Sequence, residues 1–409
     1  MHRRHKTFFI ISVSFVCLFL TSHQLCAEAL HFIAYGDTRR DILTTEKPQV
    51  KHNAIARVIR EMNPDFVLFS GDMVHHNEFE RFVEVVAENY AGTRKIPLYP
   101  AIGNHELIFG TQAEALVGKL AEHLSAVNKR EGRAVPGNGV PDDTTKKLVE
   151  ELLRELDSIG DAKIKARSRE VLLREIAGRL EPSYTAYLKE ALGGPADTRS
   201  WYSFIREVNG GKMKFITLNS SLPDDEEQYR WFLDEVTQFR GPKAVLVHYP
   251  PYSIGHYGCT DLVNGKSPSA RFRNRYAKIF NDASRGIMVV ICGHEHNYQR
   301  IFRNDTNGNL QLPVYLVSGG GGADLKGAGE CDPATIPMDG FQCRGLITAY
   351  QFVDVTVDTD DNKNLVLKGK VWGLRCDLSK GLPDDDAFKK QFVKERLELI
   401  DEFTLKWRK

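Results

Sequence analysis

Ile287-Met-Val-Val-Ile291 is an uninterrupted apolar run, and Cys292-Gly-His-Glu-His296 follows it directly. Such a run, short and rich in β-branched residues, reads as a strand buried on both faces of an α/β sheet. Two imidazoles placed just past its end fall at the carboxyl edge of that sheet, where such folds build their sites. Four other stretches repeat the arrangement. Phe32-Ile-Ala-Tyr35 precedes Gly36-Asp37, Phe66-Val-Leu-Phe69 precedes Gly71-Asp72, Leu98-Tyr-Pro-Ala-Ile102 precedes Gly103-Asn-His-Glu106, and Ala244-Val-Leu-Val247 precedes His248. Carboxylate, amide and imidazole donors at five strand ends predict a dinuclear metal site. The histidines concentrate accordingly: His75, His76, His105, His248, His256, His294 and His296 all lie in or beside these stretches. Any one of them alone would read as readily as an ordinary satisfied polar residue.

These blocks, in this order, resemble the calcineurin-like metallophosphoesterase superfamily, whose motifs run D-x-H or D-x-G, G-D, G-N-H-E/D, an isolated H, and G-H-x-H. The purple acid phosphatase branch is the nearer likeness. Gly293-His-Glu-His-Asn-Tyr-Gln-Arg300 is similar to its G-H-x-H-x-Y-x-R, Val245-Leu-Val-His-Tyr-Pro-Pro-Tyr252 to its V-x-x-H-x-P-x-Y, and Trp201-Tyr-Ser-Phe204 with Phe215-Ile-Thr-Leu-Asn-Ser220 to its Y-S-F and F-I-x-L-x-S. The resemblance covers residues 30–106 and about 200–409. It implies an α/β architecture of two packed mixed β-sheets flanked by helices.

Carried over block by block, it implies that Asp37 and His296 hold one metal, Asn104, His248 and His294 the other, and Asp72 bridges them. Two ions so placed can clamp a phosphoryl group and activate a water for in-line attack at phosphorus. The mixed donors suit Fe, Mn or Zn better than Ca or Mg alone. His105 is then no ligand but the general acid or transition-state donor at the leaving oxygen, with its neighbour Glu106 orienting it.

The chain departs from the family pattern at two points. Arg39 stands where many relatives have a His two residues after the first Asp. His75 stands where the purple enzymes have a metal-bound Tyr. A guanidinium offers no lone pair to a metal, so Arg39 either grips a substrate phosphate in bidentate fashion or pairs with a nearby carboxylate. His75 is either a substitute imidazole ligand or a solvent-facing bystander. His256 falls close to a substrate-contacting His of the purple enzymes.

The remaining sequence frames this site. A basic start, an apolar run over residues 8–20 and Ala27-Glu-Ala29 predict a secretory signal peptide cleaved after Ala29, hence a secreted or periplasmic protein. No later segment is apolar for long enough to span a bilayer. With a formal charge of +1 and no basic stripe, nothing points to nucleic acid. Of the cysteines after the leader, Cys292 reads as a packed thiol; Cys259, Cys331, Cys343 and Cys376 are free to form two disulfides, with Cys331–Cys343 favoured as a short loop closure.

From residue 30 strands alternate with helices at 51–62 and 78–90. Between 107 and 200 the pattern becomes helical, with Leu116, Leu120 and Leu124, then Leu148, Leu152, Leu156 and Ile159, then Val171, Leu172, Ile176 and Leu180 at helical spacing. This is an insertion leaving from the rim of the site, a possible cap. Strand and helix patterning resumes at 201, and final strands at 350–357, 365–372 and 400–405 are expected to complete a second sheet. The domain reading is therefore a leader over 1–29, a catalytic domain over 30–106 and 201–409, and a helical insertion over 107–200.

The functional expectation is an exported, dinuclear metal-dependent phosphoesterase acting on small phosphate monoesters. A phosphodiesterase or nucleotidase with the same metals is the alternative within that chemistry. A non-catalytic member binding a phosphorylated ligand or a partner is the alternative outside it. Oligomeric state has no signature in the sequence.

Overall fold

Alternation along the first strands explains why they are apolar throughout. In the computed structural model, which describes residues 29–39, 49–74, 79–91, 95–107, 200–263 and 265–407, β1 (Leu30–Tyr35), β2 (Phe66–Phe69) and β3 (Leu98–Pro100) lie side by side and parallel. Ile33, Tyr35, Val67 and Phe69 face α1 (Val50–Met62) and α2 (Phe79–Tyr90). Phe32, Ala34, Phe66 and Leu68 face the opposite way, into a second sheet. Each strand thus buries both faces, as a parallel sheet must. Helix α1 stops where Asn63 turns left-handed (φ 52°) ahead of Pro64, which cannot continue a helix.

The second sheet holds β4 (Tyr202–Val208), β5 (Gly211–Thr217), β6 (Lys243–Leu246), β7 (Ile287–Cys292), β8 (Tyr298–Asn304), β9 (Leu310–Ser318) and β10 (Gln342–Ile347). Their order is β10-β8-β9-β7-β6-β5-β4, parallel through β5, β6, β7 and β9 and antiparallel at both flanks. Helices α3 (Glu226–Gln238) and α4 (Pro268–Phe280) cover its outer face through Phe232, Phe272, Tyr276 and Phe280. Both are capped as their sequences dictate: the Asp225 carboxylate accepts from Gln228 N (2.9 Å), and the Ser267 hydroxyl from Ala270 N (3.0 Å) with Pro268 in the first turn.

The last strands depart from expectation. β11 (Ala349–Thr359), β12 (Leu365–Arg375) and β13 (Glu398–Trp407) do not join the second sheet. β11 pairs antiparallel with β1, Leu30 opposite Val357, so the first sheet runs β13-β12-β11-β1-β2-β3. The open edge of β1 receives them; an alternating strand shows that it is buried, not which neighbour it has. A seven-residue helix, α5 (Asp385–Gln391), closes this end by packing Phe388 into the α1–α2 layer.

The result is two mixed sheets packed face to face with helices outside, as the resemblance implies. Between the sheets the Arg300 guanidinium of β8 grips Asp401 of β13 with two bonds (2.7 and 3.1 Å), and the Tyr298 hydroxyl donates to the same carboxylate (2.9 Å). The Tyr and Arg of the last motif are therefore an inter-sheet lock.

The disulfide also differs from expectation. Cys331 bonds to Cys259, 72 residues away, with Cα atoms 5.5 Å apart. Gly255 pairs with Ala328 as an antiparallel bridge, bringing the two loops together. Cys343 instead sits on β10 against the α3–α4 layer and Cys376 on the far side against the α1–α2 layer, and both are free thiols. Cys292 is a buried free thiol, as expected. The leader through residue 28, His75 and the insertion at 108–199 lie outside the described residues.

Candidate metal centre

Three of the candidate ligands sit in a backbone conformation that L-residues avoid. Asp37 (φ 61°), Asp72 (φ 56°) and His294 (φ 70°) are all left-handed. Each lies two or three residues past the end of a strand, and the reversal carries the chain across the sheet edge. Strain of about 1–3 kcal/mol per such residue persists where the surroundings over-determine it, typically at functional sites. Gly71 is needed beside them: at φ +93° a Cβ would lie 2.7 Å from Gly103 N and 2.9 Å from His248 Nδ1.

Buried carboxylates hold the loops in place. Glu106 Oε2 accepts from Asp72 N (2.9 Å) and Gly103 N (2.6 Å), and its Oε1 from Met73 N (2.7 Å). Glu106 therefore staples the loop after β2 to the loop after β3. Burial, then the nearby Asp72, pushes its pKa up to about 8, against the pull of these amides. Glu295, between the two motif histidines, does the same on the other side, accepting from the Ser253 hydroxyl (2.6 Å) and Gly258 N (2.8 Å).

The site these loops build gathers acceptors. His248 Nδ1 lies 2.8 Å from Ser70 O, and a carbonyl only accepts, so Nδ1 carries the proton and Nε2 a lone pair. That lone pair faces Asn104 Oδ1 at 3.0 Å and Asp72 Oδ1 at 3.3 Å. His296 is arranged likewise, Nδ1 donating to Asp324 O (2.7 Å) and Nε2 turned to Asp37 Oδ1 at 3.7 Å. Burial first of all depresses both imidazoles, His248 to about 4 and His296 well below the ordinary value, so both stay neutral with lone pairs available.

Ligand atoms of Asp72, His248 and His294 lie within 4.8 Å of one another, as do those of Asp37, Asp72 and His296. Asp72 belongs to both groups. All five residues are buried. Burial and the proximity of Asp72 raise the Asp37 pKa well above the usual carboxylate range. Burial also acts to raise Asp72, but His248, His105 and Arg39 outweigh it and hold that carboxyl below the range. Two carboxylates and three imidazoles converging in a buried site could hold a cation, and the donors fit transition metals.

The other expected residues are placed around this core. His105 N donates to Asp72 Oδ1 (3.1 Å) and its Nε2 stands 3.8 Å from Asp72 Oδ2, partly exposed and outside both ligand groups. Arg39 points into the site: Nε is 3.4 Å from Asp72 Oδ2, and Nη2 3.5 Å from His296 Nε2. Of the two readings of Arg39, the carboxylate pairing is the one observed. His256 lies outside both groups, its ring 5.0 Å from that of Tyr257, which stacks on His294.

Sequence reasoning missed three residues around His294. Asp261 Oδ2 is 3.1 Å from its Nε2, Tyr257 stacks on its ring at 4.0 Å, and Tyr249 meets it edge-on at 4.6 Å. Asp261 lies in a short π-helical turn (Gly258–Leu262) with no strand before it, so the signal that marked the ligands was absent.

The chain is similar to two solved structures. A purple acid phosphatase from yellow lupin (Lupinus luteus) seeds is 15% identical, the match covering 92% of this chain and 54% of that one at a TM-score of 0.49. The structure of PhoD is 11% identical over 85% of this chain and 66% of that one, at a TM-score of 0.44. The chain thus spans about half the length of the lupin enzyme it matches. No curated protein matches it. The model of the calcineurin-like phosphoesterase family matches residues 31–298, a span that holds both ligand groups, and the chain belongs to that family.

Proposed function

We propose that the protein is an exported phosphoesterase that hydrolyses small phosphate monoesters at a two-metal centre. The observation that carries this reading is the meeting of acceptors: His248 Nε2, with its ring proton committed to Ser70 O, faces Asn104 Oδ1 at 3.0 Å and Asp72 Oδ1 at 3.3 Å. Lone pairs so opposed are repulsive unless a cation lies among them.

In this reading Asp37 and His296 hold one metal, Asn104, His248 and His294 the other, and Asp72 both, with His75 as a further ligand of the first. When bound, such a pair of Fe, Mn or Zn ions supplies charge for a phosphoryl oxygen and an acidified water. The chain's own residues do the rest. His105, held against Asp72 and partly exposed, delivers a proton to the leaving oxygen. Arg39 lies close enough to the centre to move from Asp72 onto a phosphate oxygen, and His256 borders the approach. The Cys259–Cys331 disulfide fits the oxidising compartment to which the predicted leader would send the chain.

The test is elemental analysis of purified protein, joined to a panel of phosphomonoesters and phosphodiesters. Metal-dependent turnover with monoesters preferred is the expected result. Faster turnover of diesters would replace monoesterase by diesterase, and binding without turnover would leave a non-catalytic phospho-ligand receptor.

A further inference from the structure

His248 and His296 have their distal nitrogens fixed by backbone carbonyls, Ser70 O and Asp324 O. His294 is different. Its Nε2 meets a carboxylate 33 residues earlier in the chain, Asp261 Oδ2, at 3.1 Å. A carboxylate accepts only, so Nε2 carries the proton, and Nδ1 is the lone pair His294 has left for a metal. The ligating atom of this ring is thereby opposite to that of the other two. We infer that Asp261 is a positioning residue for the metal held by Asn104, His248 and His294: it fixes the tautomer and the rotation of His294 and makes its Nδ1 a stronger donor.

The surroundings of Asp261 are built for that task. Its second oxygen accepts from the Thr260 hydroxyl (3.0 Å), and its carbonyl from the Ser267 hydroxyl (2.7 Å). The loop that carries it is fastened from below by Glu295 through Ser253 and Gly258, and from the side by Cys259–Cys331, two residues from Asp261. Tyr257 of the same loop stacks on the His294 ring at 4.0 Å, and Tyr249 meets it edge-on at 4.6 Å, so two aromatic contacts limit the rotation of the ring. Asp261 itself stays outside both ligand groups, its side chain 25% exposed. It is therefore a partner of a ligand rather than a ligand.

This inference rests on the two-metal reading, and a chelator-competition titration of the full chain with Zn²⁺ separates the two. The wild type is expected to take up two equivalents. In Asp261→Ala one equivalent should weaken by about 10–100-fold and the other keep its affinity, the usual consequence of losing a carboxylate behind a ligating imidazole. Asp261→Glu should recover part of the loss, and Co²⁺ spectra should change in the weakened site alone. Asp261→Asn, nearly isosteric, guards against a folding defect and should fall between Ala and wild type. Both equivalents bound by Asp261→Ala and Asp261→Asn as tightly as by the wild type would overturn the inference, as would an equal loss from both. A wild type that binds no Zn²⁺ contradicts the metal-centre reading itself, and this inference with it.

Discussion

Asp72 is the residue on which both ligand groups depend, and its backbone and side chain are tied separately. The left-handed backbone is held by Glu106, while the carboxylate faces His105, His248 and Arg39 at 3.1–3.8 Å. Asp72→Asn preserves shape but removes the anion shared by the two groups. Activity should be abolished and at least one metal bound more weakly; unchanged stoichiometry and turnover would show that Asp72 bridges nothing. His105 makes the opposite prediction. His105→Ala should lower kcat by about 10²–10⁴ while both metals stay bound, with a smaller loss for nitrophenyl esters, whose leaving group needs no proton. Metal loss in that variant would make His105 a ligand. Legibility at this scale follows the strands. Asp37, Asp72, Asn104, His248, His294 and His296 announced themselves because each follows a strand-like run, whereas Asp261 and the staple role of Glu106 depend on loops meeting in space.

Helix α1 is tied to the site loops by a buried polar chain. Tyr90 and Tyr35 share a hydroxyl contact (2.9 Å), Tyr35 reaches His52 Nε2 (3.0 Å), His52 Nδ1 reaches Gln49 Oε1 (2.8 Å), and Gln49 Nε2 donates to Met73 O (2.7 Å), next to Asp72. Burial lowers the His52 pKa from its ordinary 6.5 to about 3. The folded state therefore keeps His52 neutral where the unfolded chain would protonate it. Its contribution to stability is complete above about pH 6.5 and is lost as pH falls toward 3, at roughly 1.4 kcal/mol per unit. In chelated protein, denaturant titrations across that window should show a shallower pH slope for His52→Gln than for the wild type. Equal slopes would mean that His52 is protonated in the fold. The sequence showed α1 as an amphipathic helix, but a lone His in it carried no sign of this chain.

At the scale of the whole molecule, two sheets must stay in register for ligands from both to meet: Asp37, Asp72 and Asn104 come from one, His248, His294 and His296 from the other. The buried Arg300–Asp401–Tyr298 cluster joins the sheets. Asp401→Ala leaves the guanidinium short of its partner in the interior and should cost about 3–5 kcal/mol, measured by equilibrium unfolding; a cost below about 1 kcal/mol would show that solvent reaches the guanidinium and compensates it. Motif and alternation made the sandwich legible, since every core strand reads as buried. They did not reveal which edge received β11, nor the Cys259–Cys331 bond, because both are long-range pairings set by where other elements end. The central claim is that strand ends from both sheets build one two-metal hydrolytic centre. Its most direct test is to strip the purified protein with a chelator, restore Zn²⁺, Mn²⁺ or Fe stepwise, and follow bound metal and phosphomonoester hydrolysis together. The account predicts activity lost on stripping and regained as occupancy approaches two ions per chain. Full hydrolysis by the stripped protein, or no hydrolysis with both ions bound, would contradict it.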